Sequence, residues 1–137
     1  MTFEDFNLKD EFFNNFSYDE IKDSLTGSIN RQYLLKYMSY LIDNNIPFNL
    51  ISFDIDKLKL FNSDNGHLNG DLLIKKLIDI ILPLLPKNSI IGKLDGDEIS
   101  IVIKGEYSYD EKWSLLRSIH QETRKPIIIN DKSYLVT

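Results

Sequence analysis

Asp54 and Asp56 close an apolar run, Phe48 to Ile55, and a second acidic set, Asp95-Gly96-Asp97-Glu98, separates two later apolar runs. Carboxylates at strand ends and turns are hard oxygen donors. Magnesium takes a few of them, keeps several waters and completes its shell with substrate phosphates. Two such ions can stabilise the attacking and leaving oxygens of a phosphoryl transfer. A plainer reading also fits, since Asp-Gly favours a tight turn with solvated acids. Other chemistries are excluded. Neither Gly66 nor Gly70 has the full set of earlier acidic or amide ligands of an EF-hand, and no Walker-type phosphate loop is present. His67 and His120 are not spaced as a metal pair, and no Ser-His-acid arrangement can be argued from two histidines. With no cysteine there is neither a disulfide framework nor a thiolate metal site.

Periodicity and turn chemistry set the elements that carry these acids. Phe48 to Ile55 predicts a buried strand ending at Asp54 and Asp56. Ser89–Leu94 and Glu98–Lys104 predict two strands joined by the Asp95-Gly96-Asp97 turn. Ser28 or Asn30 is expected to cap a helix over Arg31–Asn44, with Leu34, Leu35, Met38, Leu41 and Ile42 on one face and Pro47 closing it. A loop rich in Asn, Asp and Gly leads to a helix from about Asn69 to Leu84. Tyr109–Arg124 predicts another helix, and Ile127–Asn130 with Ser133–Thr137 a closing hairpin. Leu8 to Ile21 has helical spacing and predicts a lead-in helix, with residues 1–18 as lead-in or linker and 19–137 as the domain.

This order predicts an α+β fold on the ferredoxin-like plan, an antiparallel-rich sheet with helices on one face. Pairing of the first and second strands would bring the Asp54 end beside the Asp95-Gly96-Asp97 turn. Trp113 and the other aromatics are scattered and not interleaved with basic residues, which predicts core packing instead of a stacking platform. Lys75 and Lys76 predict a solvated helix face, and His67 a structural hydrogen bond.

The bulk properties narrow the partners. A chain of 137 residues with 42% hydrophobic content suffices for one packed core. A net charge of −5 repels a phosphate polymer, so no nucleic-acid role is expected. A small phosphorylated ligand remains compatible when a metal ion offsets its charge. The acidic start, MTFEDFNLKDEFF, has no signal-peptide pattern, and Lys75, Lys76, Asp79 and Pro83 interrupt Leu72–Leu85, so no membrane insertion is expected. A cytoplasmic location fits the missing cysteines.

Four separated segments carry a family resemblance. Asp23-Ser24-Leu25-Thr26-Gly27 with Asn30-Arg31 resembles D-x-L-T-G-x-x-N-R. Phe53-Asp54-Ile55-Asp56 with Lys59 and Asn62 resembles F-D-I-D-x-F-K-x-x-N. Gly66-His67 with Gly70-Asp71 resembles G-H-x-x-G-D. Lys93-Leu94-Asp95-Gly96-Asp97-Glu98-Ile99 occupies the place of R-x-G-G-D-E-F. All four stand in order and register over roughly residues 19 to 137. The chain thus resembles the GGDEF domain of diguanylate cyclases.

That resemblance implies a palm-like fold, GTP as substrate and condensation of two GTP into cyclic di-GMP with release of two pyrophosphates. It also implies a homodimer in which each domain holds one GTP, magnesium or manganese as cofactor, and an upstream sensory or regulatory module as partner. By position it makes Asp54 and Asp97 metal ligands, with the Ile55 carbonyl as a third contact. It makes Glu98 a catalytic acid–base group, Lys59 a phosphate contact, and Asn62 and Asp71 the guanine-reading pair, with Asp95 and Gly96 lining the phosphates. Asp71 can accept from guanine N1–H and N2–H₂, which adenine lacks, whereas in the branch that makes mixed adenine–guanine dinucleotides this position looks like Ser.

The departures bear on activity. Asp95 replaces the first signature glycine, adding a Cβ and a negative charge beside the phosphates. Ile99 replaces the Phe and Lys93 the Arg, while Pro86 and Ser89 stand where the family's product-inhibition site has Arg and Asp. The resemblance also implies a further strand and a last helix with phosphate-contacting basic residues, which this sequence lacks, so the expectation is either a fragment or a domain without that half of the phosphate grip. Three readings result: a weakened diguanylate cyclase, a GTP-binding signalling module without turnover, and a structural dimerisation domain. Retained Asp54, Asn62, Asp71, Asp97 and Glu98 favour the first, and Asp95 favours the second.

Overall fold

A computed structural model describes residues 10–24, 26–54, 67–87, 89–95, 98–125, 127–129 and 132–134. Two compact units are each assembled from two stretches of chain, Met1–Phe53 with Pro86–Tyr107, and Asp54–Leu85 with Ser108–Thr137.

The first unit begins with two short helical pieces instead of the single lead-in helix predicted. A 3-10 turn spans Glu11–Asn15, Phe16 is extended, and α1 spans Tyr18–Ile21. The Asp10 side chain accepts from Phe12 N–H and the Ser17 hydroxyl from Glu20 N–H, so each restarts the backbone and neither lets a helix run through.

Helix α2 spans Arg31–Asp43, and of the two predicted caps Asn30 is the one that forms, its Oδ1 accepting from Tyr33 N–H at 3.0 Å. The helix ends before Pro47 through Asn44 and the left-handed Asn45, φ 55°. Its buried residues are Tyr33, Leu34, Tyr37 and Leu41, whereas Leu35 and Ile42 are exposed, correcting the predicted face. Two phenols can go inside because each hydroxyl has an acceptor: Tyr33 donates to Glu20 and Tyr37 to Asp10, both at 2.6 Å. Phe12, Phe13 and Phe16 pack on this row of rings, with Phe16–Tyr33 and Phe13–Tyr37 centroids 5.0 and 5.1 Å apart.

Strands β1 (Phe48–Asp54), β2 (Ser89–Asp95) and β3 (Glu98–Lys104) form a sheet in the order β1-β3-β2. The predicted pairing of first and second strands is therefore replaced by a central β3. One edge of β3 pairs antiparallel with β2, and the other edge takes β1. Ser52 and Ser100 hydroxyls lie 3.2 Å apart, and Asn49 Nδ2 donates to the Gly105 carbonyl at 3.3 Å, so β1 runs antiparallel to β3. Isoleucines and valine fill the buried middle of β2 and β3, whereas edge strand β1 alternates half-buried and exposed positions.

In the second unit α3 spans His67–Ile81 and buries Leu73, Ile74, Leu77, Ile78 and Ile81. Pro83 converts its continuation into a 3-10 turn, Leu82–Leu84. Lys75 and Lys76 face solvent, as predicted. Helix α4 (Tyr109–Thr123) starts with a capping box between Ser108 and Glu111. Those bonds, from the Ser108 backbone first, hold the Glu111 carboxyl below its ordinary range. Trp113 is 45% exposed and meets exposed Tyr109 edge-on at 5.9 Å, so the expectation of a core Trp is corrected. The apolar stripe of α4 is thin, with Ile119 its buried residue, and the i,i+4 neighbour shields the indole in place of a core. Strands β4 (Ile127–Ile129) and β5 (Lys132–Tyr134) pair antiparallel, Ile127 opposite Tyr134. No helix among the described residues is long and apolar enough to cross a membrane. The fold class is α+β.

Candidate functional site

Strand β2 is held from one side by residues Ile29 and Arg31. Asp23 Oδ2 accepts from Thr26 N–H at 3.0 Å and from its hydroxyl at 2.8 Å, and Thr26 and Ser28 hydroxyls lie 2.8 Å apart. Gly27 takes φ +78°, and Tyr18 OH donates to its carbonyl at 2.6 Å. Asn30 Nδ2 donates to the Glu20 and Lys22 carbonyls. The loop thus fixed lays Ile29 along β2: Ile29 N–H donates to Ile91 O and Lys93 N–H to Ile29 O, each at 3.1 Å. A Cβ on Gly92 would stand 2.7 Å from the Ile29 carbonyl oxygen, so the close approach requires glycine.

The β2–β3 register slips just there. Gly92 pairs with Ser100 but Asp95 with Glu98, leaving one extra residue on β2. This is the geometry of a β-bulge, which bends a strand and re-aims its next side chains. Arg31 Nη1 reaches the Leu94 carbonyl at 2.7 Å, inside the irregular stretch. Asp95 is exposed and Glu98 half-buried. Lys93 is buried to 9% exposure.

Asp54 closes β1 and is exposed. It takes no part in the ion pairs among the described residues, which join Lys22–Asp19, Lys104–Asp10 and Lys125–Glu122. An open carboxylate of this kind is a hard oxygen donor suited to a divalent ion. Asp71, in the second unit, is half-buried on the first turns of α3. Ile55, Lys59, Asn62, Gly96 and Asp97 lie outside the described residues, as do Asp56 and Gly66 and the side chain of His67. Among the described residues no three His, Cys, Asp or Glu side chains gather as a metal site. The brace of Ile29 and Arg31 was not foreseen from sequence. Its one signal was the Asn30-Arg31 pair, read as a motif letter and not as a donor to a distant carbonyl.

The family model for the diguanylate cyclase GGDEF domain matches residues 20–137. This chain belongs to the GGDEF family. This GGDEF domain is 30% identical over 120 residues to the signaling protein YkoW of Bacillus subtilis, covering 84% of this chain and 15% of that one. It is 32% identical over 113 residues to the diguanylate cyclase DgcP of Escherichia coli, covering 80% of this chain and 33% of that one. The chain therefore spans a third or less of the length of these curated relatives. The FimX GGDEF domain of Pseudomonas aeruginosa superposes with a TM-score of 0.77 at 17% identity, covering 85% of this chain and 75% of that one. That likeness establishes the GGDEF fold, and the palm-like plan expected from the motifs holds.

Proposed function

We propose that this GGDEF domain is a diguanylate cyclase slowed by Asp95. The observation that carries the reading is the strand order: β1, ending at Asp54, lies beside β3, which opens at Glu98 just after the signature turn. Acids contributed by adjacent strands suit a metal-assisted phosphoryl transfer.

Two such domains, each holding one GTP, face each other with two-fold symmetry. The 3′-hydroxyl of one GTP attacks the α-phosphate of the other, forming a phosphodiester and breaking the bond to the β-phosphate, so pyrophosphate leaves. The same exchange in the other direction closes the ring. Asp54, the Ile55 carbonyl and Asp97 would hold magnesium or manganese, which supplies charge neutralisation at the triphosphate. Glu98 accepts the hydroxyl proton. Lys59 meets the phosphate charge, and Asn62 and Asp71 select guanine. Gly96 lets the backbone approach the phosphates, and Asp95 opposes them by repulsion of about 1 to 4 kcal/mol at ~4 Å.

Asp95 also supports a second reading, GTP uptake without turnover and signalling through a partner domain. Incubation of the protein with GTP and magnesium or manganese, followed by mass spectrometry, separates the two. Cyclic di-GMP that is lost in Asp54→Ala supports the cyclase. No product in the parent protein, with GTP still bound, sinks it in favour of the second reading.

A further inference from the structure

The β2–β3 turn carries an irregular stretch that the ladder alone does not fix. Between the Gly92–Ser100 and Asp95–Glu98 pairs β2 holds one residue more than β3, so the backbone at Lys93 and Leu94 needs partners from elsewhere. The structure supplies them from one short segment. Ile29 accepts from Lys93 N–H at 3.1 Å, and Arg31 donates to the Leu94 carbonyl at 2.7 Å, across a sequence separation of 63 residues. Arg31 can reach because Asn30 caps α2 and is itself tied to the Glu20 and Lys22 carbonyls, which fixes where the first helical residue stands. Gly92 keeps the gap closed, since any Cβ there would strike Ile29 O.

We propose that Arg31 is a positioning residue for the signature acids: by holding the Leu94 carbonyl it fixes the bulge that aims Asp95 and its register partner Glu98. Its guanidinium is engaged by a backbone oxygen next to the turn, a charge-assisted bond stronger than a neutral one. The consequence for nucleotide binding rests on the function proposed above, whereas the hold on the bulge does not.

The test compares Arg31→Ala, Arg31→Lys and, as a charge control on the same helix, Lys36→Ala, in the full chain. Amide hydrogen exchange on the ligand-free protein reads the hold itself. Exchange over residues 94–98 is expected to quicken by roughly tenfold in Arg31→Ala, less in Arg31→Lys and not in Lys36→Ala, with helix α2 still protected. Affinity for a non-hydrolysable GTP analogue with magnesium is expected to fall in the same order. Unchanged exchange in Arg31→Ala overturns the proposal. So does loss of protection throughout the first unit in Arg31→Lys, which would make the residue merely structural. A parent protein that binds no analogue defeats the proposed function alone, and the exchange comparison still decides Arg31.

Discussion

Asp95 and Glu98 are register partners across the β2–β3 turn, so their two carboxylates leave the same rung of the ladder. Like charges directly opposite on a sheet destabilise it. A triphosphate brought to this turn adds further negative charge. Asp95→Gly is therefore expected to raise the rate of cyclic di-GMP formation by roughly one to three decades, the factor that 1 to 4 kcal/mol represents. Asp95→Asn separates charge from bulk and should recover most of that gain. Initial rates at saturating GTP check this, and an Asp95→Gly rate equal to that of the parent would show that repulsion does not limit turnover.

Tyr37 is the buried phenol that ties the lead-in to α2 through Asp10, whose Oδ2 also meets Lys104 Nζ at 3.4 Å. Tyr37→Phe removes a hydrogen bond to a charged acceptor and is expected to cost about 1.5 to 3 kcal/mol in urea unfolding. Burial first, then the Asp10 carboxylate, raises the Tyr37 pKa above the ordinary 10.0. A group raised in the folded state stabilises fully below its unfolded pKa and loses that contribution as pH climbs past it. The parent should thus lose more stability between about pH 9 and about pH 11 than Tyr37→Phe does. Equal losses would contradict this.

Ser89 is 1% exposed, and its hydroxyl has no hydrogen-bond partner among the described residues. An unsatisfied buried hydroxyl costs free energy. Ser89→Ala is accordingly expected to leave stability unchanged or raise it by up to about 1 kcal/mol, read by thermal unfolding. A drop of that size would mean the hydroxyl has a partner.

Buried Ser89 and half-buried Pro86 stand where the family resemblance placed a product-binding acid and arginine. Neither carries the charge with which an arginine meets a phosphate or a carboxylate meets a guanine edge. Cyclic di-GMP is expected not to slow the protein through this position, and Ser89→Ala should leave any inhibition curve where it was. Titration of product into the turnover assay, for parent and variant, checks both.

Much of the fold was legible where one local signal sufficed. Asn30 followed by a helical apolar pattern marked α2, and Asp-Gly between two apolar runs marked the β2–β3 turn. Non-local choices were hidden. Which strand β1 joins is decided by which edge of β3 the pairing with β2 leaves open. Tyr33 and Tyr37 look amphipathic in sequence, and only Glu20 and Asp10 make their burial affordable. Asp10 and Ser17 split the lead-in because side-chain caps compete with the helical ladder at a scale periodicity does not resolve. Of the candidate site, Asp54, Asp95 and Glu98 were legible as acids at strand ends. The Arg31 brace was not, because a donor to a carbonyl so far along the chain leaves no spacing signature.

The exposed position of Trp113 makes the protein its own two-channel thermometer. It is the single tryptophan, and it lies in the second unit, whereas Tyr33 and Tyr37 lie inside the first. Its indole is half-shielded by the edge-on contact with Tyr109, which lasts only while α4 is formed, so its emission reports the melting of that helix. Near-ultraviolet dichroism of the buried phenols tracks the other unit. Heating one sample and watching both signals tells whether the two units come apart together or in sequence.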